Sequence, residues 1–165
     1  MKLWIVFFSA MLLAGCASYG GRGLKPGAAR LEDVQGLMGP PAMRWQDADG
    51  SVQLAYPRGP EGYHTFMVKL ATDGRLRNIA NVLDGQNFAR IHGGMTKEQV
   101  LRVLGPPPLR DTYFAARDEL VWGWRFCTDF GTAAHFMVLF DATSGIVRSS
   151  MSQDEGREMP VGCHR

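Results

Sequence analysis

The sequence lacks the local signatures that mark most enzyme active sites. It contains no G-x-S-x-G turn for an activated serine, no H-E-x-x-H pair for zinc and no P-loop lysine for a nucleotide phosphate. Its four histidines show no ligand spacing relative to one another or to the three cysteines, so no metal site is expected. We therefore predict a non-catalytic protein that needs no cofactor.

The chain also has little excess charge and no long apolar run. Eighteen Lys and Arg residues stand against sixteen Asp and Glu residues, and the basic ones are scattered along the chain. This distribution provides no electrostatic footprint for nucleic acid. The apolar run at residues 3–13 has eleven residues, whereas a membrane-spanning helix needs about 20. Neither a nucleic-acid partner nor a stable helical span is expected.

The short apolar run at the start is typical of a secretory signal peptide, because Lys2 precedes it and small residues follow it. Its ending, LAGC, resembles the bacterial lipobox, in which a small-residue cleavage site stands directly before a cysteine. The resemblance implies that residues 1–15 are removed and that Cys16 carries lipid. The alternative is an ordinary signal peptide with a chance cysteine.

Lipidation would decide where the protein resides. Two or more acyl chains anchor a protein stably in a bilayer, and the Gly-rich residues 16–23 would form the tether. In Gram-negative lipoproteins an aspartate after the cysteine usually retains the protein in the inner membrane. Ala17 occupies that position, which implies the outer membrane, with the protein on its periplasmic face.

The remaining cysteines predict a disulfide. If Cys16 carries lipid, Cys127 and Cys163 remain as a pair in an oxidising compartment. The bond would close a loop of about 37 residues and hold the tail, residues 156–165, which has no periodicity of its own. Two free thiols are the alternative.

An internal repeat organises the chain. Residues 27–44 and 93–110 are identical at seven of eighteen positions, where average composition predicts about one match. The identical pairs are Gly27/Gly93, Glu32/Glu98, Val34/Val100, Gly39/Gly105, Pro40/Pro106, Pro41/Pro107 and Arg44/Arg110. The repeated glutamates suit first-turn positions stabilised by the helix dipole, although a catalytic pair is the alternative.

Each copy predicts a short helix with a defined end. In the second copy Thr96 and Gln99 form a capping box, and Gly105 followed by prolines forbids continuation. The helix has about eight residues, too few to be stable alone in water, so its apolar stripe must pack on a sheet. Arg30 replaces the threonine cap in the first copy, which should make that helix less stable by about 1 kcal/mol.

Strand patterns follow each helix stop. A β-rich run and then a hairpin occur in both copies, with Asp73-Gly74 and Ser144-Gly145 at the hairpin turns. The predicted fold is α+β, with two tandem units that each pack a helix on an antiparallel sheet. We assign residues 24–84 and 93–155 to the two units and residues 85–92 to the linker.

Three aromatic residues are candidate partner contacts. Trp122 and Trp124 share one face of a predicted strand with Phe126. They pack under the helix as core, or they line an open face for a partner. Tyr63 follows RGPEG, whose proline and glycines suit an exposed hairpin tip.

The motifs GGMTKEQVLRVLGPPP and LMGPP resemble the SmpA/OmlA family, also called BamE-like. The resemblance implies a small outer-membrane lipoprotein that assists outer-membrane protein assembly or envelope integrity, with barrel-assembly subunits as partners. Two copies in tandem are also similar to the β-lactamase inhibitory protein architecture. That likeness implies the alternative function, inhibition of a β-lactamase, protease or lysozyme.

Overall fold

The computed structural model describes residues 20–59, 62–108, 112–155 and Cys163. The predicted signal peptide, the lipidation site Cys16 and most of the predicted tail therefore lie outside the described residues. Of the predicted tether, residues 20–23 are described. Gly21 lies against the first unit, because a Cβ built on it would be 2.4 Å from Ile79 Cδ1. The tether thus ends on the first sheet.

Both units have one main helix followed by four antiparallel strands, and the second unit also has a 3-10 helix, Ala115–Arg117, between its first two strands. The first unit contains α1 (Leu31–Met38), β1 (Met43–Gln46), β2 (Val52–Pro57), β3 (Thr65–Leu70) and β4 (Leu76–Asn81). The short helix α2 (Gly85–Phe88) follows, and the second unit contains α3 (Lys97–Leu104), β5 (Thr112–Phe114), β6 (Glu119–Cys127), β7 (Ala133–Asp141) and β8 (Val147–Asp154). The sheet orders are β1-β2-β3-β4 and β5-β6-β7-β8, so the predicted α+β class with two tandem units is confirmed.

Each sheet has one strand more than the pattern predicted. The additional strands, β1 and β5, have four and three residues and stand next to the proline-rich helix stop. Runs this short show too little alternation of apolar and polar residues to be recognised as strands from the sequence. The two predicted hairpins are present as β3–β4 and β7–β8, each with a register shift near its turn.

The first unit buries the apolar stripe of α1 on its sheet. Val34 and Met38 pack with Leu54, Val68 and Leu76, and all five side chains are buried. This burial supplies the stability that an eight-residue helix lacks alone.

The second unit has the same arrangement and larger side chains. Val100 and Leu104 of α3 pack on Trp124, Phe136 and Val138. Phe88 and Ile91, which lie in the predicted linker, belong to this same core. Residues 85–92 therefore contribute packing to the second unit and do not act only as a connection.

The helix ends follow their local sequence. Thr96 Oγ1 accepts from the Gln99 N–H at 3.2 Å, and Gln99 Oε1 accepts from the Thr96 N–H at 2.8 Å, which completes the predicted capping box. Gly39 and Gly105 end α1 and α3 with positive φ values of 81° and 73°. Their ψ values of −169° and −178° place them outside the left-handed helical region, in a region that essentially only glycine adopts.

Helix α1 has only half of a capping box. Asp33 Oδ2 accepts from the Arg30 N–H at 2.8 Å, but the arginine side chain has no oxygen to accept from the first turn. Replacing Arg30, which is exposed and extended, with threonine should raise the free energy of unfolding by about 1 kcal/mol. Urea denaturation measures the change. Arg30→Ala is the matched control, and equal stability of the two variants would contradict the capping explanation.

Helix α3 also contacts the first sheet, on the face opposite α1. Trp45 Nε1 donates to Glu98 Oε1 at 2.6 Å, and Gln53 Nε2 donates to the Arg102 carbonyl oxygen at 2.7 Å. At the helix end, a Cβ built on Gly105 would lie 2.8 Å from Thr65 Cγ2. The helix therefore lies between the two sheets and joins the units.

Candidate partner-binding surface

The two tryptophans predicted as partner contacts are part of the core of the second unit. Trp124 is 0% exposed and Trp122 is 8% exposed. Across the β6–β7 register Trp124 pairs with Phe136 and Trp122 with Val138, on the face that α3 covers. The partner-binding interpretation is wrong for both residues, because the helix occupies the face that a partner would need.

Tyr63 is half-buried and lies against the second unit, so it is not a free hairpin tip. The Arg125 guanidinium carbon is 4.5 Å from the centroid of its ring, a cation–π distance. Arg125 Nη2 in turn donates to Glu155 Oε2 at 2.6 Å, and His135 Nε2 lies 2.7 Å from Glu155 Oε1. Tyr63 thus connects the two units, and its role as a partner contact stays a prediction.

A disulfide joins Cys127 to Cys163, with the Cα atoms 5.7 Å apart. The pairing is the one predicted from the sequence. The Cys163 N–H also donates to the Gly131 carbonyl oxygen at 3.1 Å, so the bond fixes the described end of the chain to the β6–β7 turn. Phe130 in this turn is 94% exposed.

Removing the disulfide should destabilise the second unit. The separation of 36 residues corresponds to about 4 kcal/mol in the chain-entropy model. We expect the double variant Cys127→Ser, Cys163→Ser to lose about 2–4 kcal/mol of unfolding free energy. The reduced wild-type protein is the control and should match the variant. Equal urea midpoints for oxidised and reduced protein would contradict this prediction.

Further exposed aromatic residues lie on the edge strand β5, which pairs with the end of β6 that is distant from the disulfide. Tyr113 is 57% exposed and Phe114 is 43% exposed. The Arg117 guanidinium carbon lies 5.4 Å from the centroid of the Phe114 ring. We call Tyr113, Phe114 and Arg117 the β5 surface. Tyrosine and arginine are the residue types that, with tryptophan, dominate the binding energy of protein interfaces.

The connection behind the β5 surface is well fixed. Asp118 adopts a left-handed conformation with φ of 46°, the one positive φ among the described non-glycine residues. Its side chain accepts from Tyr113 Oη at 3.3 Å and from the Thr143 N–H at 3.2 Å, and its carbonyl oxygen accepts from the Ala142 N–H at 2.9 Å. These bonds hold the β5–β6 connection against the β7–β8 turn. A fixed surface loses less entropy on binding.

Two carboxylates with lowered pKa values stabilise a turn and an ion pair. A hydrogen bond from the Ser144 backbone N–H, helped by Arg148, lowers the pKa of Asp141 to about 2. A hydrogen bond from Arg125 lowers the pKa of Glu155. Both groups are thereby kept ionised, which suits structural roles rather than proton transfer near neutral pH.

The described residues contain neither a candidate metal cluster nor a helix suited to span a membrane. No group of three or more histidine, cysteine, aspartate or glutamate side chains is placed to hold a metal ion within these residues. Among them, no helix is both long enough and apolar enough to cross a membrane.

Fold and surface together define a two-unit α+β protein with exposed aromatic residues on a fixed edge strand. Residues 80–118 match the family described as outer membrane protein assembly factor BamE domain. The predicted resemblance to the BamE-like family is confirmed over this range, which contains α2, α3 and the β5 surface. No curated protein and no solved structure matches the chain. The first unit contributes only its last few residues to the matched range.

Sequence reasoning missed Tyr113, Phe114 and Phe130. The signal for the first two was a pair of adjacent aromatics, which cannot both point into one core from a strand. The signal for Phe130 was a large apolar residue between Asp129 and Gly131, within a turn where small and polar residues are usual.

Proposed function

We propose that this chain is a non-catalytic lipoprotein of the outer membrane that faces the periplasm and binds an envelope protein. Its role is to assist outer-membrane protein assembly or envelope integrity, with a barrel-assembly subunit as the partner. The observation that carries the proposal is the match of residues 80–118 to the BamE assembly-factor domain. In the same proposal, residues 24–84 and 93–155 are the two repeats.

The β5 surface is the proposed contact with the partner. It is the exposed aromatic part of the matched range, and the Asp118 hydrogen bonds hold it in place. Binding would bury Tyr113 and Phe114 and remove apolar area from water, a contribution of about 25 cal/mol per Å².

The proposed lipid on Cys16 would hold the first unit close to the bilayer. A Cβ built on Gly20, the first residue that the structure describes, would lie 3.7 Å from Phe66 Cζ, so this residue packs against the first sheet. Four further residues reach about 14 Å at most when fully extended. The protein would therefore meet its partner at the membrane surface.

Site-specific photocrosslinking in native envelopes tests the proposal. A photoreactive amino acid replaces Tyr113, and the matched control replaces Phe130, which is also exposed but lies outside the family match. We expect a barrel-assembly subunit, identified by mass spectrometry, to be crosslinked from position 113 only. Absence of such a product would contradict the proposal. A secreted or envelope enzyme captured in its place would favour the inhibitor alternative.

A further inference from the structure

A polar cleft lies between the two units, away from the β5 surface. Its volume is about 390 Å³, within the range of small-ligand sites. One wall is the face of the first sheet on which α3 packs. The other wall is formed by α2, the residues directly after it and α3. The cleft exists only because the two units are fused.

Both walls of the cleft contribute cationic side chains. Lys69 comes from β3, Arg90 follows α2 and Arg102 comes from α3. The cleft has one acidic lining residue, Asp47, and that carboxylate is already bound by Arg102. Among the described residues, Lys69 and Arg90 have no carboxylate partner.

Arg102 is held in position from two sides. Besides Asp47, the Trp45 ring lies under its guanidinium, with 5.6 Å between the guanidinium carbon and the ring centroid. Arg90 Nη1 donates to Asn87 Oδ1 at 3.0 Å, and Asn87 is itself held by the Asp84 carboxylate at the start of α2. Arg90 and Arg102 therefore keep defined positions. No carboxylate among the described residues pairs with Arg90, so its positive charge is not neutralised.

Amide and apolar groups complete the lining. Asn78 lies opposite Lys69 in the β3–β4 register, and Gln53 lies opposite Lys69 in the β2–β3 register. Met67 and Val82 provide a buried apolar floor. Amides pair with peptide groups, the floor accepts aliphatic carbons, and the cations bind anions such as carboxylates.

We infer that this cleft binds a short acidic peptide segment of a partner protein, with side-chain carboxylates held between Lys69 and Arg90. The segment lies across the unit boundary, so it contacts residues that a single unit does not possess. The inference is independent of the β5 surface and adds a second contact to the proposed function.

Fluorescence anisotropy with a labelled hexaglutamate peptide and the full chain in a non-ionic detergent tests the inference. We expect binding that weakens as salt rises from about 20 to 300 mM, because screening increases. A hexaglutamine peptide should not bind. The double variant Lys69→Gln, Arg90→Gln should bind hexaglutamate about tenfold more weakly than the wild type.

The matched control is Arg44→Gln, Arg77→Gln, which removes the same number of positive charges from β1 and β4, at residues that do not line the cleft. It should retain wild-type affinity, and circular dichroism should show that both variants are folded. No binding of hexaglutamate, or equal loss in both double variants, would overturn the inference. Neither outcome affects crosslinking at Tyr113, so failure here is distinguishable from failure of the proposed function.

Discussion

Replacing Gly105 with alanine should lower the free energy of unfolding by about 4 kcal/mol, while the same change at Gly39 should cost about 2 kcal/mol. The two glycines end equivalent helices with nearly the same backbone conformation, so an alanine is strained at either position. Only at Gly105 would the new Cβ meet a neighbour, at 2.8 Å from Thr65 Cγ2. Urea denaturation of the two variants measures the difference.

A compensating change tests whether contact with the first sheet causes the additional loss. Thr65→Ser removes the methyl group that the new Cβ would meet. Gly105→Ala combined with Thr65→Ser should therefore lose less stability than the sum of the two single changes. Equal costs at Gly39 and Gly105, or strict additivity of Gly105→Ala and Thr65→Ser, would show that α3 does not pack closely on the first sheet.

The second large effect is expected at Trp124. Replacing this fully buried side chain with alanine should cost about 3–5 kcal/mol, because the cavity lies under α3. Trp124→Phe should cost much less, since it keeps most of the apolar volume and removes a buried indole N–H that has no partner among the described residues.

Exposed Tyr113 is the control for this measurement. Tyr113→Ala should leave the free energy of unfolding within about 0.5 kcal/mol of the wild type. A small effect of Trp124→Ala on the urea midpoint would restore the interpretation that this tryptophan is a surface contact.

Local signals explain why much of the fold was predictable. The Thr96–Gln99 capping box, the glycines after the helices and the turns at Asp73-Gly74 and Ser144-Gly145 all depend on residues close in sequence. The repeat then predicted that both units share one plan, which the two sheets confirm.

The remaining features depend on contacts distant in sequence. Alternation placed Trp122 and Trp124 on one face of a strand but did not indicate which face α3 covers. The packing of α3 on the first sheet, through Trp45 and Glu98, joins residues 53 positions apart. No local pattern encodes such a contact, so the cleft between the units could not be predicted from the sequence either.

None of the three residues of the β5 surface was predicted from the sequence. The helix motif that resembles the BamE-like family lies in the matched region, but the predicted contacts Tyr63, Trp122 and Trp124 lie outside it. Within the matched region the helix motif is the strongest pattern, and helix motifs indicate the scaffold more than the function. The adjacent pair Tyr113-Phe114 signals that one aromatic side chain points away from the core, but only the strand order shows that both lie on an edge strand.

The central claim is that the protein assists the outer membrane through a binding surface. Complementation of a deletion strain tests this claim most directly. The deletion should lower the levels of barrel proteins and the resistance to detergents and vancomycin, and the wild-type gene should restore both. The double variant Tyr113→Ala, Phe114→Ala should fail to restore them although it accumulates normally and is folded. Normal barrel-protein levels and normal resistance in the deletion strain would contradict the claim.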